Sequence, residues 1–265
     1  MEKSPKKSET YIEELEEKII DLSLKLKANN NLFVTTETRH NSLISALTHN
    51  LKNPISIAYS FSDMILENGE NYTPEKLEKH LKIIKESSQY AISLLNSFVT
   101  FQQVNSTNYN YNLDLNNYTD LLNGVINNNT QIAQHKHIKI VKSFPKAAIL
   151  TNIDSEKISL ALNQILHNAI RFSEPNSKIT IEVTTNNTAI TTKIIDKGIG
   201  ISENNIKKVL NGFFVVNTYD IDKQKCIGLG LSIAQNIIKK HNGAISIHSQ
   251  INEGATVKIT IPICK

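Results

Sequence analysis

The sequence predicts an α+β chain, in which a long antiparallel helical hairpin precedes a two-layer α/β sandwich, on three observations. Apolar side chains recur at alternating spacings of three and four residues up to Phe98, which is the pattern of amphipathic helices. A polar, asparagine-rich stretch at residues 105–112 then ends this pattern. Beyond it, helical segments alternate with short runs that have the period of β-strands. We therefore predict a coiled-coil linker helix at 1–34, the hairpin at 35–108 and the sandwich domain at 109–265.

Composition and charge exclude several classes of function. The 265 residues are 40% hydrophobic and 20% charged, with a net charge of +4, which is ordinary for a soluble globular protein. No dense basic block with aromatic residues occurs, so nucleic acid is not an expected partner. No run of about 18 apolar residues predicts a membrane span. We expect a soluble, cytoplasmic chain, which is also compatible with the cytoplasmic part of a larger membrane protein. The two cysteines, Cys226 and Cys264, lack the spacing of a zinc or redox site.

The N-terminal helix carries a heptad seam. Its apolar positions lie three or four residues apart, or in phase with that spacing, at Ile12, Leu15, Ile19, Leu22, Leu26 and Phe33. Asn29 occupies a seam position, where a polar residue fixes register at some cost in stability. The seam is compatible with packing on the same chain, but no partner helix adjoins it in sequence. A parallel homodimer is therefore the favoured interpretation.

The seam continues through Leu47 and leaves one imidazole, His49, two residues past a core position and facing outward. Pro54, five residues later, cannot donate a hydrogen bond to the carbonyl of Asn50, so we expect a kink beside His49. The helix is expected to continue to about Glu67. His49 is therefore the first candidate for chemistry.

A turn at 68–72 and a second helix complete the predicted hairpin. Thr73-Pro74-Glu75 supplies the hydroxyl cap, first-turn proline and early acid of a helix start. The next helix repeats the three-four spacing at Leu77, Leu81, Ile84, Ser88, Ala91, Leu95 and Phe98. Two such hairpins in a homodimer would close a four-helix bundle.

The rest of the chain mixes helices and strands. We predict helices at 115–134, 155–172 (with Asp154 as its cap) and 229–241. We predict strands at 137–144, 147–153, 177–185, 188–195, 244–250 and 255–263. Residues 203–227 have no clean period, and an irregular stretch of this length in a compact domain is usually a functional lid.

Two glycine-containing stretches in this domain suggest a nucleotide. Asp196 follows an apolar strand and precedes Gly198 and Gly200. Its carboxylate can accept a hydrogen bond from an exocyclic amine such as adenine N6, and the glycines let the backbone approach a flat base. The segment Gly228-Leu229-Gly230-Leu231 opens a helix, whose N-terminal amides favour phosphate. Each signal is weak alone, and neither completes a Rossmann or P-loop motif.

A third polar pattern ends the helix predicted at 155–172. Within His167-Asn168-Ala169-Ile170-Arg171-Phe172, the Asn168 carboxamide suits Mg²⁺, and Arg171 on the next turn can meet phosphate oxygens. A plain polar helix face would explain this hexapeptide if it stood alone. His135 and His137 could suggest a metal, but without a third ligand in view a polar turn is the better explanation.

Taken in order, the exposed histidine in a hairpin, Asn-Ala-x-Arg-Phe, Asp-x-Gly-x-Gly and Gly-x-Gly-Leu resemble the sensor histidine kinases of two-component signalling. The resemblance covers about residues 35 to 265. It implies autophosphorylation of His49 from ATP with Mg²⁺, a homodimer, and a response-regulator receiver domain that takes the phosphoryl group. It also implies an ATP-binding sandwich of the type shared with gyrase and MutL.

The resemblance assigns roles to individual residues. Asn168 matches the magnesium-binding asparagine, Arg171 the basic residue that follows it, and Asp196 the aspartate that reads adenine. The other expected nucleotide positions, with Phe213-Phe214 as the aromatic box of the lid, are Gln164, Gly198, Gly200, Phe213, Phe214, Gly228, Leu229, Gly230, Leu231 and Thr256.

Three positions depart from the family's pattern. Asn50 stands where the family has an acid, Gln164 replaces the first asparagine of the nucleotide box, and Cys226 replaces a glycine before the second glycine box. Asn50 matters most, because a carboxylate beside His49 would fix the imidazole tautomer and stabilise its growing positive charge. An amide accepts one hydrogen bond but carries no charge, so we expect slow rather than absent autophosphorylation.

Asn53, one helical turn after His49, suggests a second activity. The resemblance implies that its amide orients a water against the phosphoryl group of a bound response regulator, and a plain polar surface residue is the competing interpretation. Two other functions stay open. One is a phosphatase-biased or catalytically weak nucleotide-binding dimer. The other is an ATPase or serine kinase with the same nucleotide fold, which would have to explain the hairpin histidine.

Overall fold

The computed structural model describes residues 6–69, 72–106 and 110–263. Parts of the predicted turn and of the predicted domain boundary, and Cys264, lie outside these ranges. Among the helices of the described chain, none is both long and apolar enough to cross a membrane.

The chain folds as two compact units, residues 1–50 and 51–265. The first unit consists of most of helix α1, which spans Lys6–Asn68 and remains helical through Pro54. Its heptad side chains are exposed in the single chain: Leu15, Ile19, Leu22, Leu26 and Phe33. The division at residues 34 and 108 stays a prediction.

Helix α2, Pro74–Asn105, begins as the sequence predicts. Thr73 has an extended backbone, and its Oγ1 accepts a hydrogen bond from the Lys76 amide at 3.3 Å. His80 ties this start to the end of α1, because its Nδ1 lies 2.9 Å from Tyr72 Oη and its ring is edge-on to Phe61. The helical hairpin is thus confirmed. Farther along, α2 buries the face that carries Ala91, Leu94, Phe101 and Val104, and it packs against helix α6, Gly230–Lys240.

The sandwich domain has a helical layer and a sheet layer. Its helices are α3 Tyr118–His135, α4 Ser155–Phe172, α5 Glu203–Ile206 and α6. Its strands are β1 Asp114–Asn117, β2 Lys139–Ser143, β3 Leu150–Ile153, β4 Lys178–Thr185, β5 Ala189–Ile195, β6 Ala244–Gln250 and β7 Gly254–Pro262. Five strands form a mixed sheet in the order β2-β4-β5-β7-β6, where only β2 and β4 run parallel, and β1 pairs with β3.

Helix α4 is the centre of the core, and its sequence explains why. Asp154 Oδ1 caps it by accepting from the Lys157 amide at 3.0 Å. Its apolar residues recur every three or four positions and are buried: Ile158, Ala161, Leu162, Ile165, Leu166, Ala169 and Ile170. The sheet presents alternate residues to the helical layer, as in Ile179, Ile181 and Val183 of β4. Both predicted periods therefore hold, and the mixed α/β sandwich is confirmed.

Three segments differ from the prediction. Residues 147–149 precede strand β3, which begins at Leu150, rather than belong to it. Residues 115–117 form part of strand β1 rather than the start of a helix. Helix α3 begins only at Tyr118, because the Asn117 side chain accepts a hydrogen bond from the Thr119 amide and caps the helix there. The stretch 203–227 is not wholly irregular. It contains α5 and a tight hairpin at 218–226, closed by the Tyr219–Lys225 pair and by the Cys226 amide on Thr218 O at 2.8 Å.

A buried histidine connects the start of α4 to the end of α6. His241 follows α6, and its Nε2 accepts a hydrogen bond from the Asp154 amide at 3.1 Å. Its Nδ1 lies 2.8 Å from Ile237 O and donates to it. Both ring nitrogens are therefore used by the neutral imidazole, and burial lowers the pKa of His241.

This pairing predicts a pH-dependent stability. The unfolded state binds a proton on His241 near its ordinary pKa, whereas the native state resists it, so the free energy of unfolding falls from about pH 7 to pH 5. His241→Gln should lower stability at pH 7 by about 1–3 kcal/mol and flatten this slope. Urea unfolding at several pH values measures both effects.

The matched control is His248→Gln, which removes an exposed imidazole from β6. It should leave the slope close to that of the wild type. An equal slope in the His241→Gln variant would contradict the assignment.

Candidate nucleotide-binding site

A cavity of about 280 Å³ opens between α4, the lid at 203–227 and the start of α6. Its wall is mostly apolar, with a few convergent polar groups, which is the usual character of a small-molecule site. The polar and charged side chains on it are Ser97, Gln164, His167, Asn168, Arg171, Asp196 and Asn217. Ser97 comes from α2, so the hairpin helix contributes to this wall.

Asp196 lies at the end of β5, with its carboxylate held by backbone amides. Oδ1 accepts hydrogen bonds from the Gly198 amide at 2.9 Å and the Ala255 amide at 3.0 Å. Burial raises the pKa of the Asp196 carboxyl, and these two hydrogen bonds oppose that shift. Within the described chain, Oδ2 has no protein hydrogen-bond partner, and Asp196 lines the cavity. This geometry leaves one carboxylate oxygen for a donor on a ligand.

Gly198 fits beneath this site only because it has no side chain. A Cβ at this position would lie 2.2 Å from Phe172 O, an atom of the backbone that ends α4. The Ser173–Gly198 bridge fixes the same approach. Gly198 therefore brings the loop after β5 against the end of α4 and does not itself line the cavity.

Two carboxamides meet the start of α6. An added Cβ at Gly230 would lie 2.7 Å from Gln164 Oε1 and 3.5 Å from Asn168 Nδ2, so both amides sit beside the glycine that opens the helix. Carboxamide oxygens are hard ligands that suit Mg²⁺, which in nucleotide sites also takes phosphate oxygens and waters. The described residues include no cluster of three or more His, Cys, Asp or Glu that would hold a metal alone. These side chains fit an ion that arrives with a phosphate ligand.

Arg171 lies in the last turn of α4, and its guanidinium is engaged with the lid. Its Nε donates to Asp220 Oδ2, and its Nη2 donates to Gln224 O at 3.1 Å and Lys225 O at 2.9 Å. One turn earlier, His167 lies on the cavity wall, where desolvation and the positive charge of Arg171 lower its pKa.

The two lid phenylalanines have different surroundings. Phe214 lines the cavity, whereas Phe213 does not. Phe213 has a left-handed backbone with φ of 63°, and its ring centroid lies 6.1 Å from that of Phe98 on α2. The predicted aromatic box is thus split between the cavity and the hairpin helix.

Most of the predicted nucleotide residues converge on the cavity. They are Gln164, Asn168, Arg171, Asp196, Gly200, Phe214, Gly228, Leu229, Gly230 and Leu231. Thr256 lies in β7 and is not on the wall, although Ala255 and Val257 beside it are. No sequence motif points to Ser97, Asn217 or Asp220, because their placement depends on tertiary packing.

The histidine candidate lies on α1. His49 and Asn53 are exposed and Asn50 is half-buried. An exposed imidazole is open to a reacting partner, as the sequence predicts.

Comparisons with known proteins match the two structural parts. Residues 39–107 match the family model of the His Kinase A (phospho-acceptor) domain. Residues 153–265 match the model of the histidine kinase-, DNA gyrase B-, and HSP90-like ATPase.

Curated relatives have low identity but broad coverage of this chain. The sensor protein KdpD of Clostridium acetobutylicum is 25% identical over 86% of this chain and 25% of its own length. The sensor protein kinase WalK of Staphylococcus aureus is 25% identical over 85% of this chain and 54% of its own. The chain therefore spans about a quarter to a half of the length of these relatives.

Solved structures share the fold. Histidine kinase ThkA in complex with the response regulator protein TrrA is 21% identical, with a TM-score of 0.69 over 84% of this chain and 61% of that chain. The histidine kinase AdeS of Acinetobacter baumannii is 19% identical, with a TM-score of 0.63 over 82% of this chain and 98% of that one.

The contact beneath Asp196 makes a stability prediction. Gly198→Ala should lower the free energy of unfolding by about 1–3 kcal/mol, because the new methyl group meets backbone that cannot rotate away. Gly124→Ala is the matched control, since no atom lies within 4 Å of its added Cβ in helix α3. Alanine there should stabilise by about 0.5–1 kcal/mol. Urea unfolding of both variants tests this, and equal effects would contradict the close packing at Gly198.

Proposed function

We propose that the chain is a sensor histidine kinase, which uses ATP to phosphorylate its own His49 and then passes the phosphoryl group to a response-regulator aspartate. The observation that carries this proposal is the carboxylate of Asp196, held by two amides with one oxygen directed to a cavity. An exocyclic amine of adenine is the donor that such an oxygen suits. The exposed His49 supplies the acceptor.

Within this proposal, the nucleotide-binding residues divide by chemistry. Asp196 reads the base, the Gly228–Leu231 segment at the start of α6 offers backbone amides to phosphate, and Phe214 closes the side of the pocket. Asn168, with Gln164 beside it, would hold Mg²⁺. When bound, that ion would neutralise charge on the phosphate oxygens.

The reaction at His49 needs a neutral imidazole. Nε2 attacks the γ-phosphorus of ATP, the bond from that phosphorus to the β–γ bridging oxygen breaks, and ADP leaves. The ring becomes positively charged as the new P–N bond forms, and its Nδ1 proton is then lost. Asn50 can accept a hydrogen bond from Nδ1, but it neither takes the proton nor neutralises the charge. We therefore propose that the reaction is slow in this chain.

Two partners follow from the proposal. A second copy of the chain would cover the exposed heptad side chains of α1 and complete a four-helix bundle. A receiver domain of a response regulator would dock beside His49. The complex of ThkA with TrrA supports a partner of that kind.

Labelling with ATP that carries the label on its γ-phosphate tests the activity. The wild type should gain acid-labile label slowly, His49→Ala should gain none, and Asn50→Asp should gain it at least about tenfold faster, since general-base help contributes about 10²–10⁴-fold. An Asn50→Asp rate at or below the wild-type rate would contradict the role given to position 50. Label that persists in His49→Ala would reject His49 as the acceptor.

Asn50 also favours a second candidate, a phosphatase-biased dimer in which bound nucleotide acts as a conformational signal. The exposed amide of Asn53, one turn beyond His49, is suited to orient a water against a phosphoryl group. If nucleotide binds and no label appears on His49, this second function is preferred.

Asn53→Ala tests that activity on a phosphorylated response regulator. The dephosphorylation rate of the variant should be at least about 10-fold lower, since the attacking water would no longer be oriented by the amide. Lys52→Ala, at the neighbouring exposed position, is the matched control and should change the rate little. Undiminished dephosphorylation by Asn53→Ala would reject the role.

A further inference from the structure

The lid contains a carboxylate that the chemistry above does not use. Asp220 lies at the start of the lid hairpin, residues 218–226, and its side chain is only 1% exposed. A buried carboxylate requires a partner, because its desolvation is costly. Its partner is Arg171, on the wall of the nucleotide cavity.

Asp220 organises the hairpin with both oxygens. Oδ2 accepts from Arg171 Nε, and Oδ1 accepts from the Gln224 amide at 2.7 Å. The Asp220 amide in turn donates to Gln224 O at 2.9 Å, and Lys223 takes the left-handed conformation that the turn needs, with φ of 59°. The Asp220 carboxylate therefore stabilises the turn at 220–224 and holds the Arg171 guanidinium at the same time.

Arg171 completes the attachment from the side of α4. Its Nη2 donates to the carbonyls of Gln224 and Lys225, on the same hairpin. Three N–H donations thus face the lid. No partner for Nη1 occurs among the described residues, so this edge of the guanidinium is left for an anion. The hairpin also reaches α2, where Lys225 Nζ lies 4.9 Å from the centre of the Tyr90 ring.

Energetics decide between two roles for this ion pair. If a triphosphate drew Arg171 away, Asp220 would remain buried without its charge partner, and breaking such pairs is strongly destabilising. If Arg171 stays, the phosphates meet a guanidinium that is already oriented. The buried carboxylate favours the second role.

We propose that Asp220 is a positioning residue of the nucleotide site: its carboxylate fixes the Arg171 guanidinium and holds the lid hairpin on the end of α4 before nucleotide binds. The hairpin attachment is a property of the chain itself, whereas the effect on nucleotide rests on the proposed function. A second ion pair in the same hairpin provides the contrast. Asp222 is 46% exposed, whereas Lys136, which it meets at 3.1 Å, is only 10% exposed and also donates to the Ile170 and Arg171 carbonyls. Because water can replace Lys136 as the partner of the Asp222 carboxylate, we expect the loss of this carboxylate to matter less than the loss of Asp220.

Trypsin cleavage after Lys223, whose side chain is exposed, tests the attachment without nucleotide. Asp220→Asn should be cleaved at least about tenfold faster than the wild type, because a released hairpin is populated more often. The control Asp222→Asn, which makes the same change two residues away, should stay within about twofold. Equal cleavage of the two variants would overturn the attachment.

Binding of ATP and of adenosine, measured by calorimetry, tests the positioning of Arg171. Asp220→Asn should weaken ATP about tenfold and leave adenosine within about twofold, since adenosine has no phosphate to meet the guanidinium. In an Arg171→Gln background, Asp220→Asn should have no further effect on ATP. ATP bound equally or more tightly by Asp220→Asn would show that Asp220 competes for Arg171 and overturn the proposal.

Two further outcomes separate the alternatives. An equal loss for ATP and adenosine would mean a purely structural role. A thermal unfolding curve for each variant excludes global unfolding. If Asp220→Asn does not fold, Arg171→Lys can replace it, because this variant loses the hydrogen bonds of the guanidinium and keeps the positive charge. It should then be cleaved as fast as we expect for Asp220→Asn. A wild type that binds no nucleotide but protects Lys223 would refute the proposed function and the positioning of Arg171, and leave the hairpin attachment standing.

Discussion

The hydrogen bonds to Asp196 Oδ1 hold together the parts of the domain that form the nucleotide cavity. They join the end of β5 to the loop at Gly198 and to Ala255 of β7. Gly198 in turn lies against the last carbonyls of α4, which carries Asn168 and Arg171. One compact connection therefore sets the positions of Asp196 and of the end of α4 on the cavity wall. Because this connection leaves Oδ2 free of protein partners in the described chain, Oδ2 is the atom to which the proposed function assigns recognition of adenine.

The cavity is linked to the hairpin through α2. Ser97 lies on the cavity wall, and Phe98, next in sequence, faces Phe213 of the lid. Leu94 of the same helix is buried, and the ring of Tyr90 contacts the Lys225 ammonium group of the lid. The lid thus contacts a hairpin helix and also lines the cavity. Under the proposed function, this arrangement would connect a nucleotide in the cavity directly to the hairpin.

Residues whose placement follows from local chemistry were predicted correctly. The Asp154 cap and the apolar spacing of α4 predict its limits at residues 155 and 172. In the same way, Thr73-Pro74 predicts where α2 begins. The sequence predicts helix at residues 115–117, which belong to strand β1, because a strand of four residues is too short to show a period. No sequence pattern points to Asp220, because its partner Arg171 lies 49 residues away along the chain. None points to Ser97 either, because its position on the cavity wall depends on how α2 packs. The order of the motifs along the chain predicts the site, whereas tertiary packing determines which residues line the cavity.

The most direct measurement of the central claim is calorimetric binding of ATP and GTP to the wild type and to Asp196→Asn. Asp196 Oδ2 should accept from the exocyclic amine of adenine, whereas guanine presents a carbonyl oxygen at that position and is repelled. The wild type should therefore bind ATP at least about tenfold more tightly than GTP, and Asp196→Asn should lose about 10- to 100-fold in ATP affinity. Equal affinity for the two nucleotides, or an unchanged ATP affinity in Asp196→Asn, would contradict the account.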